Sequence, residues 1–157
     1  MQKITTFLWF DDKAEEAARF YTSIFEDSKI TRVTRYAAGA PRPEGSVMTV
    51  SFELERQEFI ALNGGPHYRF NPAISLFVNC ETQAEVDAYW EKLAAGGKPI
   101  QCGWIEDRYG LCWQIVPRQL LEMLQDSDRA RANRTMQALM GMVKLDLAEL
   151  KRAYDGG

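Results

Sequence analysis

The stretch Trp104-Ile-Glu-Asp-Arg-Tyr-Gly-Leu-Cys-Trp-Gln-Ile-Val-Pro117 gives the clearest indication of the fold. Two apolar, aromatic-rich runs flank the polar tetrad 107–110, whose last residue is a glycine that can take the positive φ of a tight turn. This pattern predicts a β-hairpin. Pro117 has no backbone N–H to donate to a neighbouring strand, so we expect the second strand to end there.

The N-terminal part of the chain predicts one helix among four strands. The β-branched and aromatic run Ile4–Phe10 is typical of a strand, and apolar residues at helical spacing then predict a helix over 13–25. Asp12 and Glu15 have the spacing of a capping box at its start. Further strands are predicted at 29–36, 46–54 and 58–63, with a loop at 38–45.

The same pattern starts again after the break at Gly64-Gly65-Pro66. Asp12 aligns with Thr82, an offset of 70 residues, which also places Phe7 on Phe77 without a gap. Thr82 and Glu85 predict a second capping box, and the helix that they begin is expected to stop at Gly96-Gly97. The segment 99–102 and the hairpin complete a second unit, so the chain carries a duplicated βαβββ module.

Composition restricts the class of protein. A chain of 157 residues with 46% hydrophobic and 26% charged residues is typical of one soluble globular domain. The formal net charge of -3 argues against a nucleic-acid partner. Because no apolar run is long enough for a signal segment or a membrane span, we expect a cytoplasmic protein without a membrane partner.

The three cysteines do not have the spacing of a metal or disulfide framework. Cys80, Cys102 and Cys112 are odd in number and contain no C-x-x-C pair. We therefore predict reduced, buried thiols.

The paired modules resemble the vicinal-oxygen-chelate superfamily of glyoxalases, bleomycin resistance proteins and dioxygenases, and within it the PhnB-like branch. The resemblance covers about residues 1–150 and implies an α+β fold whose two tandem βαβββ modules form a cup-shaped mixed sheet with a C-terminal helical tail. On this basis we predict a single glyoxalase-like domain over 1–157, with module one at 1–66, module two at 70–118 and the tail at 119–157. The residues that carry the resemblance are 7–10, 14–17 with 20–21, 70–75, 87–90, 103–104, 107–110 and 113–117.

Members of this branch are often labelled 3-demethylubiquinone-9 3-methyltransferases. A cofactor of the S-adenosylmethionine type usually binds at a Gly-rich turn between a strand and a helix, whereas Gly64-Gly65-Pro66 leads into no predicted helix. These residues therefore give no support to the label, and we predict no cofactor.

The superfamily resemblance implies a divalent metal held in the cup by His and Glu side chains from the first and last strands of each module. The residues that match the ligand positions, given below, include a leucine and neutral amides. Leucine offers no lone pair and neutral amides bind transition metals weakly, so these residues predict no metal site. The single histidine, His67, lies between the modules. Matched strand to strand, the ligand positions fall on Thr6, Leu76, Gln114 and either Asn63 or Glu58.

A cup of this kind is suited to binding a small molecule, because a few polar groups orient the ligand and apolar walls bury it. The predicted function is a metal-free, dimeric small-molecule-binding protein with no assigned catalytic residue. A metal-dependent isomerase, lyase or dioxygenase and an interaction module without a ligand remain alternatives, so whether the protein is an enzyme stays open. The predicted ligand-binding positions are Thr6, Asn63, Leu76, Trp104, Cys112 and Gln114.

Structural interpretations remain open for several of these residues. Gln114 would otherwise satisfy neighbouring backbone groups, and Trp104 would fill the core. Asp107 and Arg108 are interpreted as turn residues, and His67 and Tyr68 as surface positions.

The tail carries an apolar stripe at three- and four-residue steps within a predicted helical stretch at 129–154. Gly141 interrupts the stripe, and Asp146 is placed to cap a second segment. Because this stripe must bury itself against its own sheet or a second subunit, we expect a homodimer to which the tail contributes. The stripe consists of Met136, Leu139, Met140, Val143, Leu147 and Leu150.

Overall fold

The computed structural model describes residues 2–157. The chain divides into two compact units, Met1–Phe70 and Asn71–Gly157, and each is built on one four-stranded mixed sheet. The α+β class, the tandem modules and the helical tail are confirmed. The predicted single domain, with module boundaries at 66 and 70, stays a prediction.

The first unit has the strand order β1-β4-β3-β2, in which β1 runs parallel to β4 and the other neighbours are antiparallel. The helix α1 covers one face of this sheet, where Tyr21 lies 6.2 Å from Phe52 between ring centroids. The elements are β1 Thr6–Phe10, α1 Ala14–Ile24, β2 Lys29–Arg35, β3 Val47–Leu54 and β4 Gln57–Asn63.

The second unit repeats this topology in the order β5-β8-β7-β6, with β5 parallel to β8. The offset of 70 carries α1 onto 84–94, which matches the observed second helix to within one residue. The predicted duplication is thereby confirmed. The elements are β5 Ser75–Cys80, α2 Gln83–Ala94, β6 Lys98–Pro99, β7 Trp104–Glu106 and β8 Cys112–Pro117.

The predicted hairpin is present as β7 and β8, which pair antiparallel. Gly110 has a φ of 88°, and β8 ends at Pro117, both as expected. Ahead of the hairpin the predicted segment 99–102 is shorter, because Cys102 and Gly103 both have positive φ and turn the chain out of β6.

The predicted capping box of α1 is wrong. The N-cap residue is Lys13, which makes no side-chain cap bond, and the Oδ1 atom of Asn63 instead accepts a 2.8 Å hydrogen bond from the Ala14 N–H. Spacing along the sequence cannot reveal this cap, because it comes from the end of β4.

The cap of α2 is confirmed, because the Glu85 N–H donates to Thr82 Oγ1 at 3.2 Å. The returning bond reaches one residue further back than in a capping box, since Glu85 Oε2 accepts from the backbone N–H of Glu81 at 2.8 Å.

The tail forms three helices, α3 Arg118–Leu124, α4 Arg129–Met140 and α5 Leu147–Asp155. The interruption at Gly141 is confirmed, and so is the cap at Asp146, whose Oδ1 accepts from the Glu149 N–H at 3.1 Å. No helix within residues 2–157 has the length and apolar character that a membrane crossing requires.

The tail packs into the core of the second unit. The backbone N–H groups of Cys102 and Gly103 donate to the carbonyl oxygens of Met142 and Val143, each at 2.8 Å. Part of the predicted stripe is buried here, whereas its other members, Met136, Met140 and Val143, are exposed. The buried cluster consists of Val116, Leu120, Met123, Leu145 and Leu150.

Candidate functional site

The sheet face opposite α2 in the second unit brings together three of the predicted site residues. Gln114 pairs with Trp104 on one side and with Phe77 on the other, so these side chains share a face. Cys112 lies two residues before Gln114 and therefore also points to this face. The intervening Trp113 points to the opposite face and is buried.

Gln114 has a fixed orientation and a free acceptor. Its Nε2 donates a 2.9 Å hydrogen bond to the Oγ of Ser75, and the side chain is half-buried. Within residues 2–157, its Oε1 atom has no hydrogen-bond partner. Gln114 thus bonds a neighbouring hydroxyl rather than a backbone group and presents a carbonyl oxygen from a held side chain.

The chemistry of Cys112 is that of a buried, protonated thiol. Burial raises its pKa, and the negative charges of Glu106 and Asp107 raise it further. A thiol needs to be deprotonated to act as a nucleophile or a metal ligand. Cys112 is fully buried and therefore packs as a neutral, apolar residue beneath this face.

Asn63 is fully engaged in structural bonds. Besides capping α1 through Oδ1, Asn63 donates from Nδ2 to the Val47 carbonyl at 3.1 Å. Its backbone carbonyl accepts from the Tyr36 hydroxyl at 2.6 Å. Both polar atoms of its buried carboxamide are therefore occupied within the first unit.

Thr6 and Leu76 lie on the helix-covered faces of their sheets. Thr6 pairs with Phe59, which stacks on Phe52 beneath α1, and Leu76 pairs with the buried Trp113. The structure thus brings Trp104, Cys112 and Gln114 to the uncovered face of the second sheet, whereas Thr6 and Leu76 lie on helix-covered faces and Asn63 caps α1.

On the uncovered faces of β1 and β5, the exposed residues lie one position after Thr6 and Leu76. Phe7 in β1 and Phe77 in β5 occupy the repeated positions and are 54% and 42% exposed. The alternation of buried Leu8 and Phe10 carries this signal in the sequence, because side chains on a strand alternate between faces. Ser75, which positions Gln114, was not among the predicted site residues.

Asp107 has the structural role predicted for a turn residue. Its buried carboxylate accepts hydrogen bonds from the backbone N–H groups of Tyr109 and Leu111 at 2.8 and 3.0 Å, and from Trp113 Nε1 at 2.9 Å. It fixes the hairpin turn to the strand that carries Gln114.

Among the positions that the resemblance assigns to metal ligands, Glu58 is the one with a side chain that binds divalent cations strongly, so these positions do not form a complete site. Leu76 has no donor atom, and the donor atoms of Asn63 are engaged as described. Among the side chains of residues 2–157, no group of three or more His, Cys, Asp or Glu could hold a metal ion. His67 is exposed in the loop that follows β4.

Comparison with known proteins agrees with this topology. The protein-family model described as 3-demethylubiquinone-9 3-methyltransferase matches residues 2–116, which end just before α3. Among curated proteins there is no match.

Solved structures extend the comparison. The putative 3-demethylubiquinone-9 3-methyltransferase, PhnB protein, from Bacillus cereus is 42% identical over 72% of this chain and 97% of its own, with a TM-score of 0.66. A protein from Staphylococcus aureus is 31% identical over 73% of this chain and 94% of its own, with a TM-score of 0.35.

Protein PA1353 from Pseudomonas aeruginosa is 19% identical over 72% of this chain and 95% of its own, with a TM-score of 0.59, and shares the fold. The chain therefore belongs to the 3-demethylubiquinone-9 3-methyltransferase family and is PhnB-like.

Proposed function

We propose that this protein is a metal-free, dimeric small-molecule-binding protein that holds its ligand against the face of the second sheet that carries Gln114. The observation that supports the proposal most directly is the free Oε1 of Gln114 on a side chain held by Ser75. An acceptor that is already oriented loses little conformational entropy when it binds a donor.

The neighbours of Gln114 supply the apolar part of such a site. Trp104 is half-buried on the adjacent strand, and Phe77 is exposed on the other side. Aromatic surface beside one or two fixed polar groups is the usual composition of a small-molecule site. The ligand class that fits is a mostly apolar molecule with a hydrogen-bond donor.

Direct hydrogen bonding, rather than coordination to a metal, is the favoured mode of binding. The side chain of Gln114 is neutral, and Cys112 beside it is a thiol whose pKa is raised by burial. Neither group is a strong ligand for a divalent cation at neutral pH. The proposal therefore assigns Gln114 to ligand contact and neither residue to catalysis.

The exposed part of the tail supports a dimer. Met136 and Met140 are one helical turn apart on α4, and both are exposed, as is Val143. Exposed apolar side chains that cluster on one helix face favour association with another surface. We assign this face to contact with a second copy of the chain.

Methyl transfer, which the family description names, is not part of the proposal. Gly64-Gly65-Pro66 is followed by a non-helical segment and then by β5, whereas a nucleotide-type methyl donor usually binds where a Gly-rich turn opens a helix. The family assignment rests on sequence and fold and is independent of that reaction.

The experiment that tests the proposal is a ligand screen by native mass spectrometry, with each hit measured again on two variants. Gln114→Leu removes the acceptor at similar volume. Gln101→Leu is the matched control, because Gln101 is exposed in the same unit. We expect hits to lose at least about tenfold in affinity on Gln114→Leu and to be retained on Gln101→Leu. Hits that bind both variants equally would contradict the site.

A further inference from the structure

The loop that follows β4 in the first unit is built around the indole of Trp9. A Cβ atom on Gly64 would lie 2.4 Å from the Trp9 ring, so the ring occupies the space that any side chain there would need. Trp9 Nε1 also donates a 2.9 Å hydrogen bond to the Gly65 carbonyl. The two glycines therefore allow the indole and the loop backbone to lie in direct contact.

The indole of Trp9 supports a second aromatic side chain, Tyr68, at the surface. Tyr68 packs edge to face against Trp9, with ring centroids 5.0 Å apart and an interplanar angle of 81°. Despite this packing, Tyr68 remains 67% exposed. A fixed and exposed aromatic ring is a ready contact for another planar ring.

Arg42 brings a guanidinium group to the same loop. A Cβ atom on Gly65 would lie 3.5 Å from Arg42 Nη1 and 3.9 Å from the His67 ring, so both side chains lie against this glycine. Within residues 2–157, the Arg42 guanidinium has no carboxylate within 4.0 Å and no hydrogen-bond acceptor. Residue Arg42 is half-buried, and its guanidinium nitrogens are not among the fully buried atoms, so they remain open to a ligand.

Other charged residues of both signs lie in or beside the two loops. His67 and Arg69 are exposed in the loop after β4, and Arg35 donates to the Gly45 carbonyl at 3.0 Å beside the loop that carries Arg42. Glu44 is the carboxylate within that loop. Asp11 lies beside the loop after β4, because its carbonyl accepts a 3.1 Å hydrogen bond from the Gly65 N–H.

We propose that Arg42 and Tyr68 form a binding site for a small aromatic anion, a planar ring that carries a carboxylate or a phosphate. A guanidinium without a protein partner can donate its N–H groups to an anion, and a carboxylate or phosphate can accept two of them in parallel. The exposed Tyr68 ring lies in the same loop and contacts the planar part. The site uses residues of the first unit alone and does not depend on the function proposed for Gln114.

Isothermal titration with benzoate, phenyl phosphate and the neutral analogue benzyl alcohol tests this site. We expect one of the two anions to bind in the millimolar range or tighter and benzyl alcohol to bind at least about tenfold more weakly. Whichever anion binds more tightly identifies the anionic group. Failure of both anions to bind, or equal binding of benzyl alcohol, would overturn the proposal.

Variants locate the binding. Arg42→Gln is expected to weaken anion binding by about tenfold or more, and Arg42→Lys to give an intermediate loss because it keeps the charge but not the fork of donors. Tyr68→Leu should weaken both anions, whereas Arg19→Gln, which makes the same charge change on α1, should have no effect. Unchanged affinity in Arg42→Gln would overturn the assignment.

Two further measurements separate this site from that of Gln114. The indole N–H resonance of Trp9 should shift when the anion binds, because that N–H is bonded to the carbonyl of Gly65. Gln114→Leu should leave the anion affinity unchanged. Loss of anion binding in Gln114→Leu together with retention in Arg42→Gln would contradict a site at Arg42.

Discussion

Asn63 caps helix α1 from the far end of the first module: its Oδ1 accepts a 2.8 Å hydrogen bond from the N–H of Ala14, 49 residues earlier in the chain. Its Nδ2 donates at the same time to the Val47 carbonyl of β3. One carboxamide thus joins the start of the helix to two strands of the sheet that the helix covers.

We predict that Asn63→Ala lowers the free energy of unfolding by about 2 kcal/mol, because it removes a cap and leaves buried polar groups without partners. Asp12→Ala should change it by less than about 0.5 kcal/mol, since Asp12 is exposed and makes no cap bond. Urea unfolding followed by circular dichroism measures both. A larger loss for Asp12→Ala than for Asn63→Ala would contradict the assignment of the cap.

The hairpin of β7 and β8 also depends on one buried polar side chain, that of Asp107. Asp107→Ala should lower the free energy of unfolding by about 3 kcal/mol, because the N–H groups of Tyr109, Leu111 and Trp113 lose their shared acceptor. Arg108→Ala is the neighbouring control, and its exposed side chain should contribute less than about 1 kcal/mol. If the two variants unfold at the same denaturant concentration, Asp107 does not hold the turn.

The end of the tail should respond to pH through Tyr154 and Asp126. The Tyr154 hydroxyl donates to Asp126 Oδ2, and this bond, helped by the N–H of Asp128, lowers the pKa of the Asp126 carboxyl. The same bond raises the pKa of Tyr154, with burial adding to the shift.

The sign of the effect follows from these directions. Because the folded state lowers the Asp126 pKa, that stabilisation is present above the ordinary carboxyl pKa and is lost as the pH falls through the folded value. For Tyr154 it is present below the ordinary phenol pKa and is lost as the pH rises through the raised value. Tyr154→Phe should return the Asp126 pKa toward its ordinary value, which a carbon NMR titration measures. An Asp126 pKa that is the same in the variant would show that another group causes the shift.

Cysteine reactivity should differ among the three thiols. Burial, with the negative charge of Glu85, raises the pKa of Cys80 to about 11 despite a backbone hydrogen bond from Val116, and burial also raises the pKa of Cys112. Cys102 is half-buried. The prediction of buried thiols thus holds for Cys80 and Cys112.

We expect iodoacetamide at about pH 8 to label Cys102 first in the native protein and the other two only after unfolding, because the thiolate is the reactive species. Peptide mass spectrometry identifies the labelled residues. Cys102→Ser should abolish the rapid phase, and rapid labelling of Cys80 in the folded protein would contradict the burial described above.

Local sequence patterns predicted most of the fold. The turn glycine at 110, the strand end at Pro117 and the helix cap at Asp146 each depend on residues a few positions apart, and all three are present. The repeat with an offset of 70 predicted the common topology of the two modules, because it compares whole elements rather than single propensities.

The site was less predictable because its geometry depends on contacts between distant strands. A shift of one residue along a strand moves a side chain to the other face, and the ligand positions assigned to Thr6 and Leu76 were on the helix-covered side. Asn63 could not be recognised as a helix cap, because its partner Ala14 lies in another element. The bonds from Cys102 and Gly103 to the tail are between backbone groups, so side-chain patterns carry no trace of them.

The most direct test of a metal-free dimeric binding protein is native mass spectrometry of the purified protein, with elemental analysis of the same sample. We predict the mass of a dimer without a stoichiometric divalent metal, with or without a retained small molecule. A metal present at about one per subunit that survives dialysis and disappears in Gln114→Ala would contradict the proposal and would favour a metal-dependent enzyme instead.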